Sequence, residues 1–212
     1  KVARRLTANL GMIRYPQFSP DGKQIAFTST EEGISEIYIM PSEGGEAKRL
    51  TYLGAYLYTL GWKGSKIIFA SSHSSFLRGY YKLYEIDSEG GAPVELPYGR
   101  ASDISFGEKG VVLGRNTGNP ARWKRYRGGT AGYFLIDKNG DGKFKKLINL
   151  NGNFACPMWI GNRIYFICDH EGIGNIYSCT PEGKDLQKHS NHKDYYARGA
   201  YSDGKSIIWH SG

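Results

Sequence analysis

At 212 residues the chain is long enough to bury a sizeable core, and 40% hydrophobic with 23% charged residues is not the composition of a disordered segment. No apolar run approaches the ~18–20 residues that cross a bilayer as a helix. The net charge of +8 arises from 28 basic and 20 acidic residues that are mostly interspersed, which favours a solvated basic surface over a nucleic-acid-binding stripe.

Taken in chain order, the first recognisable unit runs from Phe18-Ser19-Pro20-Asp21-Gly22-Lys23 into Ile25-Ala26-Phe27-Thr28-Ser29. It continues through Glu36-Ile37-Tyr38-Ile39-Met40, the turn Ser42-Glu43-Gly44-Gly45, and Ala47-Lys48-Arg49-Leu50-Thr51. Short apolar runs bounded by Gly, Asp and Ser turns predict four strands. The unit recurs at Lys66–Ser71 with Lys82–Asp87, at Val111–Arg115 with Gly132–Asp137, at Arg163–Ile167 with Asn175–Ser178, and begins again at Ser202–His210. Second-strand anchors Phe27, Phe69, Leu113, Phe166 and Trp209 lie 42, 44, 53 and 43 residues apart by subtraction. Third-strand anchors Tyr38, Tyr84, Phe134 and Tyr177 keep the same period.

A repeat of four antiparallel strands makes a twisted sheet with two apolar faces, and packing such sheets against one another covers both. No stretch has a helical period that would supply parallel crossovers. The expected fold is therefore all-β: a single β-propeller domain over 1–212, of five to six four-stranded antiparallel blades with incomplete terminal ones. Complete blades are expected at about 11–54, 55–101, 102–153 and 154–198, with partial blades at 1–10 and 199–212. Ala3–Thr7 matches Ala47–Thr51, so it reads as the last strand of a blade, and the whole as a truncated six-bladed propeller cut from a longer protein.

Candidate chemistry is sparse. The chain opens on Lys1-Val2-Ala3-Arg4-Arg5 without the apolar stretch of a secretory leader. Cys156, Cys168 and Cys179 form no disulfide framework and read as small buried hydrophobes, which suits a reducing cytoplasm. Ser71-Ser72-His73-Ser74 reads as a strand end entering a loop rather than a nucleophile with its base. Asp137-Lys138-Asn139-Gly140-Asp141-Gly142 resembles half of a Ca²⁺ loop, but Ile148 stands where the bidentate Glu belongs, so a hairpin turn is preferred. His189, His192 and Asp194 lack the further ligands of a zinc site. No cofactor and no metal is expected, and no catalytic residue is found.

One cluster stands out: Arg122, Trp123, Lys124, Arg125, Tyr126 and Arg127, inside the insertion that stretches one blade interval to 53 residues. Such residues can bind an acidic peptide, a terminal carboxylate or a phosphate, or stack on single-stranded nucleic acid. The plainer reading packs the rings between blades with the charges outward; peptide or domain contact comes next, and nucleic acid last.

The run Trp123-Lys124-Arg125-Tyr126-Arg127-Gly128-Gly129-Thr130-Ala131-Gly132 resembles the Trp-Lys-x-Tyr-Arg-Gly-Gly-Thr-x-Gly signature of tricorn proteases. Gly114–Thr117, Phe144–Ile148, Gly161–Ile167, Gly183–His189 and Asp194–Arg198 agree with that family in the same order. The resemblance maps to the family's amino-terminal six-bladed propeller. It implies a non-catalytic gate, channel or scaffold in a cytosolic serine peptidase that acts on oligopeptides downstream of the proteasome. It also implies homohexamers, with the catalytic residues in domains outside this chain. The alternative is a stand-alone TolB-like propeller that serves as a protein-interaction module.

Overall fold

The computed structural model describes residues 3–8, 10–77 and 79–212. Lys1, Val2 and Asn9, part of the expected partial blade 1–10, lie outside the described residues. The chain divides into two compact units, 1–101 and 102–212.

The first unit holds two four-stranded antiparallel sheets, each meandering in sequence order. One comprises β1 (Ile13–Phe18), β2 (Gln24–Ser29), β3 (Glu36–Pro41) and β4 (Lys48–Arg49). The other comprises β5 (Leu57–Lys63), β6 (Lys66–Ser71), β7 (Lys82–Asp87) and β8 (Val94–Arg100). The Ser19–Lys23 turn is built as its residue types dictate. Gly22 takes φ 72°, and the Asp21 carboxylate accepts from the Ser19 hydroxyl at 2.6 Å and the Lys23 N–H at 3.1 Å.

Middle strands β2 and β6 are buried on both faces, which is why they read as unbroken apolar runs rather than alternating ones. Register places Phe27 opposite Tyr38 and Phe69 opposite Tyr84. Each pair stacks, with ring centroids 5.9 and 5.6 Å apart. Ala26, Ile37, Ile39, Leu57, Ile67 and Phe69 form one core between the two sheets, so neither sheet is stable without the other. Ala3–Thr7 forms no strand; instead Leu6 packs on the core of Ile25, Phe27, Tyr38 and Met40. The Arg4 guanidinium reaches the Glu43 carbonyl at 2.7 Å.

The second unit holds two further four-stranded sheets and a hairpin among the described residues. Its strands are β9 (Asp103–Phe106), β10 (Val111–Arg115), β11 (Tyr133–Asp137) and β12 (Lys145–Lys146), then β13 (Phe154–Ile160), β14 (Arg163–Cys168), β15 (Asn175–Cys179) and β16 (Gln187–Lys188). β17 (Ala197–Ser202) and β18 (Ile207–Ser211) make the hairpin. Phe166 faces Tyr177 as the repeat requires. In the preceding sheet the register slips by one relative to the sequence anchors: Leu135, not Phe134, lies opposite Leu113, and Phe134 lies opposite Gly114. Phe134 is still core, packed edge-on against Phe154 and Phe166 at 5.1 and 5.7 Å.

The first strands carry a repeated irregularity. β1, β13 and β17 bulge opposite Phe27, Phe166 and Trp209, with Tyr15, Cys156 and Gly199 in the left-handed region at φ 53°, 53° and 55°. β5 shifts register at the matching place, between Thr59 and Gly61. The bulge re-aims each first strand beside the large side chain of its neighbour.

Phe166 sits fully buried among Phe134, Phe154 and Tyr177, so Phe166→Ala is expected to cost about 3–5 kcal/mol in urea unfolding. Phe76→Ala, at a fully exposed loop position, is expected within about 0.5 kcal/mol of wild type.

Candidate functional site

The 122–127 cluster lies in the connection between β10 and β11, where it forms a compact run of turns. The Arg122 N–H donates to the Asn119 carbonyl at 3.0 Å and the Tyr126 N–H to the Trp123 carbonyl at 3.2 Å. Arg125 takes φ 61°. Gly128 lies against the Tyr126 ring, so a β-carbon there would displace the Tyr126 hydroxyl.

Sequence reasoning missed the residue that holds this loop. Asp169, at the end of β14, is fully buried and accepts from the Arg125 N–H at 3.1 Å, the Arg127 guanidinium at 3.0 Å and the Asn153 N–H at 2.8 Å. Its carbonyl accepts a second Arg127 bond at 2.9 Å, which makes that contact a two-pronged one. Asn153 closes the network by donating its side-chain amide to the Tyr126 carbonyl at 2.9 Å. A buried carboxylate needs charge and hydrogen bonds together, and the loop supplies both.

The six residues therefore divide by role. Arg125 and Arg127 face inward onto the 169–172 turn, the Arg125 Nε also donating to the Gly172 carbonyl at 3.2 Å. Tyr126 is half-buried, its hydroxyl accepting from Thr130 at 3.1 Å and its ring 5.4 Å from that of Trp123. Arg122, Trp123 and Lys124 face solvent, and the Lys124 ammonium lies 5.5 Å from the Tyr196 ring centre.

The other candidates resolve into scaffold. The Asp137 carboxylate accepts the N–H groups of Asn139, Gly140, Asp141 and Gly142 at 2.8–3.2 Å, so its oxygens belong to the turn. Burial pushes its pKa up, and those four donors reverse this to hold it below the ordinary carboxylate value. The histidines are engaged separately: His189 Nε2 shares a hydrogen bond with the Ser178 hydroxyl at 2.7 Å, while His192 accepts from the Trp209 indole at 3.0 Å. The Ser178–His189 pair is no nucleophile and base, because Ser178 is fully buried and takes an Arg163 donor at 2.8 Å. Ser71 is also fully buried, its hydroxyl accepting from the His73 N–H at 3.2 Å. The His73 ring rests on Tyr84. The cysteines are unpaired thiols, pushed up by burial to about 12 at Cys156 and Cys168 and about 11 at Cys179. Thiols so poorly ionised are inert.

A second carboxyl also ties β9 to β13. Asp103 takes hydrogen bonds from the Thr117 hydroxyl and the Cys156 N–H, and burial pushes its pKa up to about 6. Asp103 and Asp169 thus brace the same two sheets at two points.

Consecutive four-stranded antiparallel blades, with a clamped loop between the second and third strands of one of them, define a β-propeller module. The family model described as "Tricorn protease N-terminal beta propeller domain" matches residues 1–212, and the chain belongs to that family. It is 40% identical over 215 aligned positions to Tricorn protease homolog 1 of Streptomyces coelicolor, and 37% identical over 213 to the Tricorn protease homolog of Saccharolobus solfataricus. These alignments cover 99% and 97% of this chain but 20% of either relative, so the chain spans about a fifth of their length. A Sulfurisphaera tokodaii protein described as a putative Tricorn-like protease N-terminal subunit is 32% identical over 139 residues, covering 62% of this chain and 70% of that one. The crystal structure of the tricorn protease superposes with a TM-score of 0.88 at 34% identity, over 98% of this chain and 21% of that one.

Asp169→Ala should destabilise the chain by about 2–4 kcal/mol, because it strands Arg127 and two N–H groups. Asp169→Asn should hasten trypsin cleavage after Lys124, Arg125 and Arg127, read by mass spectrometry. Burial raises the folded pKa of Asp103 to about 6, above the ordinary aspartate value of 3.8. Its stabilising contribution is therefore full below 3.8 and lost as pH rises through about 6. The gain in urea midpoint from Asp103→Asn should accordingly be larger at pH 7.5 than at pH 4.5.

Proposed function

We propose that this chain is the amino-terminal propeller of a tricorn-like cytosolic serine peptidase that acts on oligopeptides downstream of the proteasome. It serves that enzyme as gate or channel and as scaffold, in a homo-oligomer that the family pattern makes a hexamer. The blades seen here belong, on this reading, to a six-bladed propeller completed by further chain. The observation that carries it is the end-to-end family match combined with coverage of only a fifth of the relatives' length. The catalytic groups then reside in the remaining four-fifths, and the buried serines, inert thiols and turn-bound carboxylate of this chain are structural. The 122–127 loop is its contact with a peptide or with another domain or subunit of the same enzyme, with Asp169 holding the loop in place. A protein named as a separate N-terminal subunit in Sulfurisphaera tokodaii supports this region associating with the rest of a protease without covalent linkage.

Hydrolysis of fluorogenic oligopeptides tests the reading. Residues 1–212 alone should release no product, whereas the protein from the complete reading frame should. Deleting 1–212 from it should slow turnover of long oligopeptides more than that of di- and tripeptide substrates. A complete protein without peptidase activity, or a deletion that slows all lengths equally, would contradict the peptidase or the gating role respectively.

A further inference from the structure

The 122–127 loop presents more than its clamp. Three connections of the second unit converge where it lies: the β10–β11 insertion, the 169–174 turn between β14 and β15, and the 189–196 segment between β16 and β17. The Arg125 guanidinium and the Tyr196 hydroxyl both donate to the Gly172 carbonyl, at 3.2 and 2.8 Å, and the Lys124 ammonium covers the Tyr196 ring. The two hydrogen bonds to Gly172 fix the loop, and Arg122, Trp123 and Lys124 stay exposed on its outer side.

What faces out is aromatic and basic. Trp123 is 68% exposed and Tyr195 66% exposed, both far beyond what a ring of that size shows when it packs between blades. Arg122, Lys124 and Lys193 are exposed and have no ion-pair partner among the described residues. Of the nearby acids, Asp169 is buried in its own network, Glu171 is bound by Lys188 at 2.5 Å, and Asp194 alone faces solvent without a partner among the described residues. Rings of Trp and Tyr framed by uncompensated cations match the side chains that dominate binding energy at protein interfaces. The cations are too few for nucleic acid. Tight backbone binding neutralises a run of phosphates, on the order of 6–10, along a groove.

We propose that this three-loop surface docks an acidic protein segment, its carboxylates paired with Arg122, Lys124 and Lys193 and an apolar side chain seated against Trp123. The proposal rests on the contact role given to 122–127 above and names the partner's chemistry: carboxylates flanking an apolar residue. Asp169 is the positioning residue of this surface, since it holds the backbone of Arg125 from beneath.

Fluorescence anisotropy of chain 1–212 at low salt, with three labelled probes, tests it. The probes are the peptide Glu-Glu-Leu-Phe-Glu-Glu, its counterpart with every Glu replaced by Lys, and a short oligothymidylate. The acidic peptide should bind, and the basic one should not. Trp123→Ala and Lys124→Glu should each weaken binding about tenfold or more while melting as wild type does, because both side chains are exposed. Lack of binding by the acidic peptide, or binding that neither substitution changes, overturns the proposal. Tighter binding of the oligothymidylate with the same dependence on Trp123 and Lys124 also overturns it, and assigns the surface to nucleic acid. Hydrolysis by the complete protein is measured separately, so either reading can fail while the other stands.

Discussion

A four-stranded sheet whose middle strands are apolar on both faces has no stable existence alone, and everything else in this molecule follows from that constraint. β2, β6 and β14 bury most of their side chains, and one face of each is covered by the adjacent sheet of the same unit, while Leu6 packs on the Ile25 and Phe27 face of β2. The stacked pairs Phe27–Tyr38, Phe69–Tyr84 and Phe166–Tyr177 are the same solution found three times. Because the sheets are held by their centres, their connections are released from folding duty and can vary. The 53-residue interval is one such variation.

Variation in a connection still has to be anchored. The β10–β11 insertion solves this with a buried carboxylate that its own backbone and guanidinium groups satisfy. Asp169 and Asp103 show two outcomes of the same burial. Asp103, buried with two donors, has its pKa raised by that burial to about 6. Asp169, with a guanidinium and two N–H donors, is a fixed acceptor around which a loop is built. The division of labour within 122–127 follows: two arginines hold the loop, and the side chains before them are left to meet a partner.

Much of the fold was legible in the sequence because one face pattern repeats. Anchors Phe27, Phe69, Phe166 and Trp209 fall on equivalent strands, and the Asp-Gly turns do what Asp and Gly do in isolation. Phe134 was misplaced by one residue, since only the pairing with Gly114 shows where that strand sits. Ala3–Thr7 copies the sequence of a fourth strand but forms none. At the candidate loop the residue types were visible and their partners were not. Asp169 lies more than forty residues from the arginines it binds, and a lone acid at a strand end carries no signal that it is buried.

Amide hydrogen exchange on chain 1–212 tests the central claim most directly, that doubly buried middle strands form a rigid frame and the loop is tied to it through Asp169. The slowest amides should lie in β2, β3, β6, β7, β10, β11, β14 and β15, joined by the Arg125 and Asn153 N–H groups that donate to Asp169. Amides of Trp123 and Lys124, within two residues of Arg125, should exchange fast. Uniform exchange across middle and outer strands, or Arg125 and Asn153 exchanging as fast as Trp123, would contradict the account.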